Sequence, residues 1–237
     1  MTAHTAIVTG GSRGIGRAIV ERLYADGSRV VTCGRGERPA YLPDEIGWVT
    51  ADVADPAAAD RLAAQAEERF GPVSLLVNNA GVLVAKTVAD STDDDWDLQV
   101  GVNCRGVFNL SRAVLPQMTE HGGVIVNIGS ISGVVADLSS ALYNASKAFM
   151  HALTRSIAID HGPRVRCNAV LPAGSRPTWP MRASTSPRIR PPRAPTPYAG
   201  TRSAASAPLR TSPTSWHGWP PTRRPGPPGS ASRWTVG

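Results

Sequence analysis

The 237-residue sequence is poor in the features that mark secreted, metal-binding or membrane-embedded proteins. Its three cysteines, Cys33, Cys104 and Cys167, are odd in number, widely spaced and without a metal-ligand pattern. A disulfide framework is therefore excluded, and reduced thiols in the cytoplasm are expected. The five histidines, His4, His121, His151, His161 and His217, are equally scattered, so no metal site is predicted. No charged opening segment leads into an apolar signal core, and no apolar run approaches the roughly 20 residues that span a bilayer. These absences predict a soluble, cytoplasmic protein with no membrane partner.

Acidic residues are missing from one region only. From Gly174 to Gly237 there are ten Arg and no Asp, Glu or Lys, which leaves 15 basic against 18 acidic residues in the first 173. The formal net charge of +7 would suggest an anionic partner such as nucleic acid, but the body of the chain is slightly acidic. The arginine-rich end lacks the interleaved stacking aromatics of single-strand binders, so no nucleic-acid partner is expected. Fourteen of the 21 Pro fall in the same stretch. Two regimes follow: residues 1–172, long enough for one α/β domain with a substantial core, and an irregular tail, 173–237.

Within the first regime strands and helices alternate. Thr5–Thr9 reads as a buried strand, followed at once by Gly10-Gly-Ser-Arg-Gly14-Ile-Gly16 and an amphipathic run, Arg17–Asp26. Further strands are predicted at Arg29–Cys33, Trp48–Ala51, Val73–Val77, Gly123–Ile128 and Arg164–Val170. Helices are predicted at Asp55–Phe70, over Asp93–Met118 as one or two, and from the Tyr143 region to about Asp160. Such alternation is the signature of a doubly wound parallel sheet of Rossmann type.

The first unit also carries chemistry. Glycines at 10, 14 and 16 between a strand and a helix let backbone approach a pyrophosphate, while the helix N-terminus offers free N–H groups. No acidic residue stands at Cys33, Gly34 or Arg35, where a carboxylate would accept the adenine ribose hydroxyls and repel a 2′-phosphate. Arg35 with Arg13 instead forms a candidate cationic clamp for that phosphate, which favours NADP over NAD; the plainer alternative is two solvated arginines. Further along, Tyr143 and Lys147 lie four apart, on one face of a helix. A cation one turn away favours the phenolate and draws the phenol's pKa down from about 10, so Tyr143 is a candidate general acid/base. On the spacing alone, the pair could equally be two exposed helix residues.

Taken in order, Thr9-Gly-Gly-Ser-Arg-Gly-Ile-Gly16, Asn78-Asn-Ala-Gly81, Asn103, Ser130 and Tyr143-Asn-Ala-Ser-Lys147 resemble the motifs of the short-chain dehydrogenase/reductase family, 3-oxoacyl-reductase-like enzymes among them. The likeness spans residues 5–172, and Ser130 precedes Tyr143 by thirteen positions, as the family pattern requires. The resemblance implies an oxidoreductase that interconverts a secondary alcohol and a ketone by hydride transfer with a nicotinamide cofactor. Tyr143 would be the general acid/base, and Lys147 would lower its pKa and hold the nicotinamide ribose. Ser130 would polarise the substrate carbonyl, Ser132 being out of register for that role, and Asn103 would position a proton-relaying water. Cofactor contacts would come from Gly10, Ser12, Arg13, Gly14, Ile15, Gly16 and Arg35. Asp52 and Val53 would frame the adenine, and Asn79, Ala80 and Gly81 would line the cofactor groove beside Tyr143 and Lys147. A homo-oligomer is implied if the C-terminus is native. A rival reading is a catalytically silent NADP-binding protein with a structural or regulatory role.

After Leu171-Pro172 the family continues with a Gly and a nicotinamide-contacting Thr, a substrate lid and a last strand ending in Asp-Gly-Gly. This chain instead gives Ala173-Gly-Ser-Arg-Pro-Thr-Trp-Pro-Met181 and a Pro/Arg/Ser/Ala-rich run without periodicity, the composition of a disordered segment. Reading each codon from its third base offers a second account. Gly174–Met181 then permits Val-Glu-Thr-Asp-Met-Ala-Asp, and Arg233–Gly237 permits Val-Asp-Gly-Gly. Tryptophan has a single codon, and the bases it forces at Trp179, Trp216, Trp219 and Trp234 yield family-like residues in one common frame. An out-of-frame tail is therefore expected. The substrate is not legible, since the residues that would shape its pocket fall in that region.

Overall fold

The computed structural model describes residues 4–173. The expectations for the tail beyond Ala173 lie outside the described residues. Six strands form one sheet: β1 (Thr5–Thr9), β2 (Arg29–Gly34), β3 (Gly47–Thr50), β4 (Leu75–Asn78), β5 (Gly123–Ile128) and β6 (Val165–Val170). Their order is β3-β2-β1-β4-β5-β6, and every neighbouring pair is parallel. Parallel strands need crossovers, which the helices α1 (Gly14–Ala25), α2 (Pro56–Phe70), α4 (Gly106–His121) and α5 (Ala141–His161) supply, with α3 (Asp93–Val100) leading into α4.

All five residues of β1 are buried, as expected of a strand covered on both faces. Ile7 joins the core under α2, α4 and α5 with Leu62, Leu110 and Ile157. Ala6 and Val8 join the opposite core with Val20 of α1. The order of strands reverses between β1 and β4, which pair through Val8 and Val77. Crevices that bind ligands open beyond the strand ends at such a switch point.

Local chemistry explains where elements begin. The Asp55 carboxylate accepts the Ala57 N–H at 2.9 Å, so Asp55 caps α2 rather than joining it, with Pro56 at the first helical position. Thr92 and Asp95 form a capping box at the start of α3. Helix α1 begins at Gly14, three residues before the expected Arg17. The long segment Asp93–Met118 is two helices, α4 running on to His121, joined by a π-helical turn, Gly101–Arg105. The turn has a visible cause. Asn103 turns fully inward, its Oδ1 accepting the Val82 N–H at 2.9 Å. A Cβ at Gly106 would stand only 2.6 Å from Val53 Cγ2, so only glycine allows that approach.

Candidate active site

The glycine turn is built for close contact. Gly10 has φ +69°, and a Cβ on Gly16 would sit 2.3 Å from the Gly10 carbonyl oxygen, so neither position tolerates a side chain. Across the switch point, Thr9 Oγ1 accepts the N–H groups of Asn79 and Ala80 at 3.0 and 2.9 Å. The Asn79 amide donates back to the Thr9 carbonyl at 2.9 Å. These bonds lock the end of β4 onto the turn after β1. No side chain caps the N-terminus of α1, leaving its first N–H groups directed at the crevice. From the β2–β3 connection, the Tyr41 hydroxyl donates to the Gly11 carbonyl, and the Arg17 guanidinium lies 3.9 Å over the Tyr41 ring.

A cleft opens along these elements. It is lined by Gly10, Ser12, Arg13, Ile15 and Gly16 from the first turn, and by Arg35, Asp52 and Val53 from the ends of β2 and β3. Asn79, Ala80 and Gly81 close it on the β4 side. Gly14, with φ +57°, stands at the head of α1 outside that lining. Ala51, Val82 and Val102 also line the cleft; the motifs do not mark them, since an apolar residue carries no signal of its position at a strand end. The close glycine approach, the uncapped helix N-terminus and two arginines fit a dinucleotide. Asp52 Oδ1 accepts the Ala54 N–H at 2.9 Å, which fixes the turn after β3.

The second half of the site stands on β5 and α5. Ser130 lies just past the end of β5 and leads a 3₁₀ turn, Ile131–Gly133, while Tyr143 and Lys147 are one turn apart on α5. Lys147 is 4% exposed, and its Nζ donates to the Ile128 carbonyl at 2.9 Å. Burial brings its ammonium down to about 8, the nearby Cys104 opposing the shift. The Lys147 Nζ lies 5.7 Å from the centroid of the Tyr143 ring. A Cβ on Gly81 would stand 3.4 Å from Asn103 Oδ1 and 3.7 Å from Lys147 Nζ, so the cleft wall and these two side chains meet.

One expectation needs correction. The spacing predicts that Lys147 draws the Tyr143 phenol down, but within this protein burial pushes that phenol above its ordinary 10. A hydrogen bond with Ser130 opposes the rise, and the Asp137 charge adds to it. Lys147 sits so deep that its own charge is disfavoured, which limits what it can lend to Tyr143. The Asn103 side chain lies close by. Its Nδ2 donates to the Val82 carbonyl at 2.9 Å and to Ser146 Oγ at 3.0 Å, so the amide joins the loop after β4 to α5.

The structure also brings in residues the motifs do not mark as active. Ser132 stands within hydrogen-bond reach of Ser130, at 2.9 Å between hydroxyl oxygens. His151, one turn beyond Lys147, has a buried Nε2 without a hydrogen-bond partner among the described residues. Burial, followed by the charges of Lys147 and Arg155, pushes its pKa down, so it is neutral filling against the 3₁₀ turn.

A parallel sheet ordered 3-2-1-4-5-6, a glycine turn at its first crossover and a cleft at its switch point define a Rossmann-type protein. The chain belongs to the short chain dehydrogenase family, whose model matches residues 4–188. It is 40% identical over 179 residues to an NADP-dependent (R)-specific alcohol dehydrogenase of Lentilactobacillus kefiri, covering 70% of this chain and 71% of that one. It is 36% identical to a 3beta-hydroxysteroid dehydrogenase of Mediterraneibacter gnavus, with 78% and 70% covered. Among solved structures it resembles the aldohexose dehydrogenase of Thermoplasma acidophilum, at TM-score 0.67 and 34% identity, covering 71% of this chain and 65% of that one. A short-chain dehydrogenase from Streptomyces avermitilis superposes with TM-score 0.70 at 33% identity, covering 75% and 68%. No helix among the described residues is long and apolar enough to cross a membrane.

Proposed function

We propose that the protein is an NADP-dependent oxidoreductase that interconverts a secondary alcohol and a ketone, with Tyr143 as the proton donor in the reductive direction. The observation that carries this reading is the convergence of Ser130, Tyr143 and Lys147 at the end of β5, against a cleft whose wall holds two arginines. A bound nicotinamide would supply or accept the hydride at its C4. The protein's own groups handle the proton. A phenol is protonated at neutral pH, the state needed to protonate a carbonyl oxygen as it becomes an alkoxide, and burial favours that state further at Tyr143. Ser130 orients that oxygen, while the Lys147 ammonium, anchored on Ile128, stands ready for the ribose hydroxyls. The NADP dependence of a 40% identical relative and the absence of a carboxylate at residues 33–35 support the choice of cofactor. Three buried free thiols, each held near 11 by burial, suit a reducing cytoplasm.

Two substitutions test the two halves of the reading. Tyr143→Phe is expected to abolish NADPH oxidation with every ketone turned over by the parent while NADPH binding stays within about twofold. Retained turnover removes the assignment. Arg35→Asp is expected to raise the KM for NADPH about tenfold or more and to improve use of NADH, because the new carboxylate repels a 2′-phosphate. An unchanged preference would place the phosphate elsewhere.

A further inference from the structure

One glycine on the cleft wall is not explained by its backbone. Gly34 ends β2 and lines the cleft, yet its φ is not positive, so its strand conformation is open to any residue. What excludes a side chain there is Trp48 of β3. A Cβ on Gly34 would stand 2.7 Å from Trp48 Cη2 and 3.3 Å from Cζ2, with Ser12 Oγ next at 3.7 Å. The ring has little freedom to give way. It packs on the core that holds Val8, Val20 and Ile46, and its Nε1 donates to Thr50 Oγ1 at 3.3 Å. Thr50 in turn donates to the Gly36 carbonyl at 3.1 Å. Strand alternation gives the position its meaning. Cys33 belongs to the opposite core, whereas a side chain at 34 would point towards Ser12 of the glycine turn. Gly34 also falls about 20 residues past that turn, where a carboxylate binds the ribose hydroxyls of NAD.

We infer that Trp48 enforces the choice of a 2′-phosphorylated cofactor by keeping position 34 free of any side chain. This deepens the proposed function and rests on NADP being the cofactor. The ring takes the volume that an aspartate at 34 would need, so no carboxylate stands there to accept the ribose hydroxyls or to repel a phosphate. The bare backbone of Gly34 leaves this corner of the cleft, between Ser12, Arg13 and Arg35, to an anion that guanidinium groups can hold. Trp48 does not line the cleft. It acts through residue 34 and is a positioning residue. The preference is thereby locked by a pair of residues, and a carboxylate placed at 34 converts it only when the ring at 48 is made smaller.

The test uses the full chain with Gly34→Asp, Gly34→Ala, Trp48→Phe and the two double variants. Trp48→Phe removes the two ring atoms that block the site and keeps an aromatic side chain in the core. Dissociation constants for NADPH and NADH, read from the fluorescence of the reduced nicotinamide, need no substrate and no turnover. In the parent background Gly34→Asp is expected to weaken NADPH about tenfold or more without tightening NADH. Gly34→Ala should lower the thermal midpoint by about 3 °C or more, through overpacking against the ring. In the Trp48→Phe background the same aspartate should tighten NADH about tenfold, and the thermal cost of the alanine should vanish. An aspartate that tightens NADH equally in both backgrounds overturns the inference. So does an alanine whose thermal cost is the same in both, and this pair decides the matter alone where Gly34→Asp does not fold. A parent chain that binds NADH more tightly than NADPH instead defeats the cofactor choice in the proposed function, a result distinct from either.

Discussion

Lys147 is a cation held where charge is disfavoured. Its ammonium titrates at about 8 in the folded chain, because burial removes the water that would solvate it, against about 10.4 when exposed. The sign follows from linkage. Above about 10.4 the residue is neutral folded and unfolded alike, and its full contribution to stability is present. As pH falls towards 8 the unfolded chain takes up the proton first, so stability declines by about 3 kcal/mol and then levels off. Replacing Lys147 by Met should flatten the pH dependence of urea unfolding between about 8 and 10.4 and raise stability at pH 7 by about 2 kcal/mol. That value allows about 1 kcal/mol for leaving the Ile128 carbonyl unpaired. The same variant should lose turnover, and a Lys147→Met chain less stable than the parent would show that the ammonium is well accommodated. At this scale the sequence was informative about identity and less so about environment. Spacing placed Tyr143 and Lys147 on one helical face, but the sign of the tyrosine's shift depends on burial and on Asp137. Neither can be read from two letters four positions apart.

The 3₁₀ turn and α5 are fitted to each other through glycine. A Cβ on Gly133 would lie 2.6 Å from His151 Cε1, 2.7 Å from the Lys147 carbonyl carbon and 2.9 Å from the Ala148 nitrogen. Two of those three atoms are backbone and cannot step aside. Gly133→Ala is therefore expected to cost about 1–3 kcal/mol by overpacking. It should also shift Ser130 relative to Tyr143, lowering kcat about tenfold or more with NADPH affinity held, since the glycine turn lies on other elements. Thermal unfolding together with a KM-against-kcat split checks both halves, and a variant of parental stability and rate would mean that the turn relaxes freely. Elements of this molecule were legible where burial is two-sided: β1, buried along its whole length, announced itself as a short apolar run. The interruption of Asp93–Met118 was not legible. Hydrophobic periodicity does not register a π-helical turn, whose cause is an Asn103 contact with Val82, distant in sequence. The approach of Trp48 to Gly34 was hidden for a similar reason, since it exists only once β2 and β3 pair.

For the whole molecule, the matched relatives extend beyond this chain's likeness to them, 71% and 70% of the two named dehydrogenases being covered. The family match itself ends at residue 188, shortly after the composition changes. We propose that the change reflects a shifted reading frame, because forced tryptophan codons restore family-like residues at both ends of the tail. Sequencing the coding DNA around codon 173 is expected to reveal one base gained or lost. An intact frame, with a natural protein of the mass this sequence dictates, would overturn the proposal and make the arginine-rich end a genuine part of the molecule. The contact between Tyr41 and Gly11, braced by Arg17, works independently of that outcome. It couples the segment after Arg35 to the loop built to grip pyrophosphate. A dinucleotide would rest its pyrophosphate on one of these segments and its adenine ribose beside the other, so one bracket sets the spacing of both.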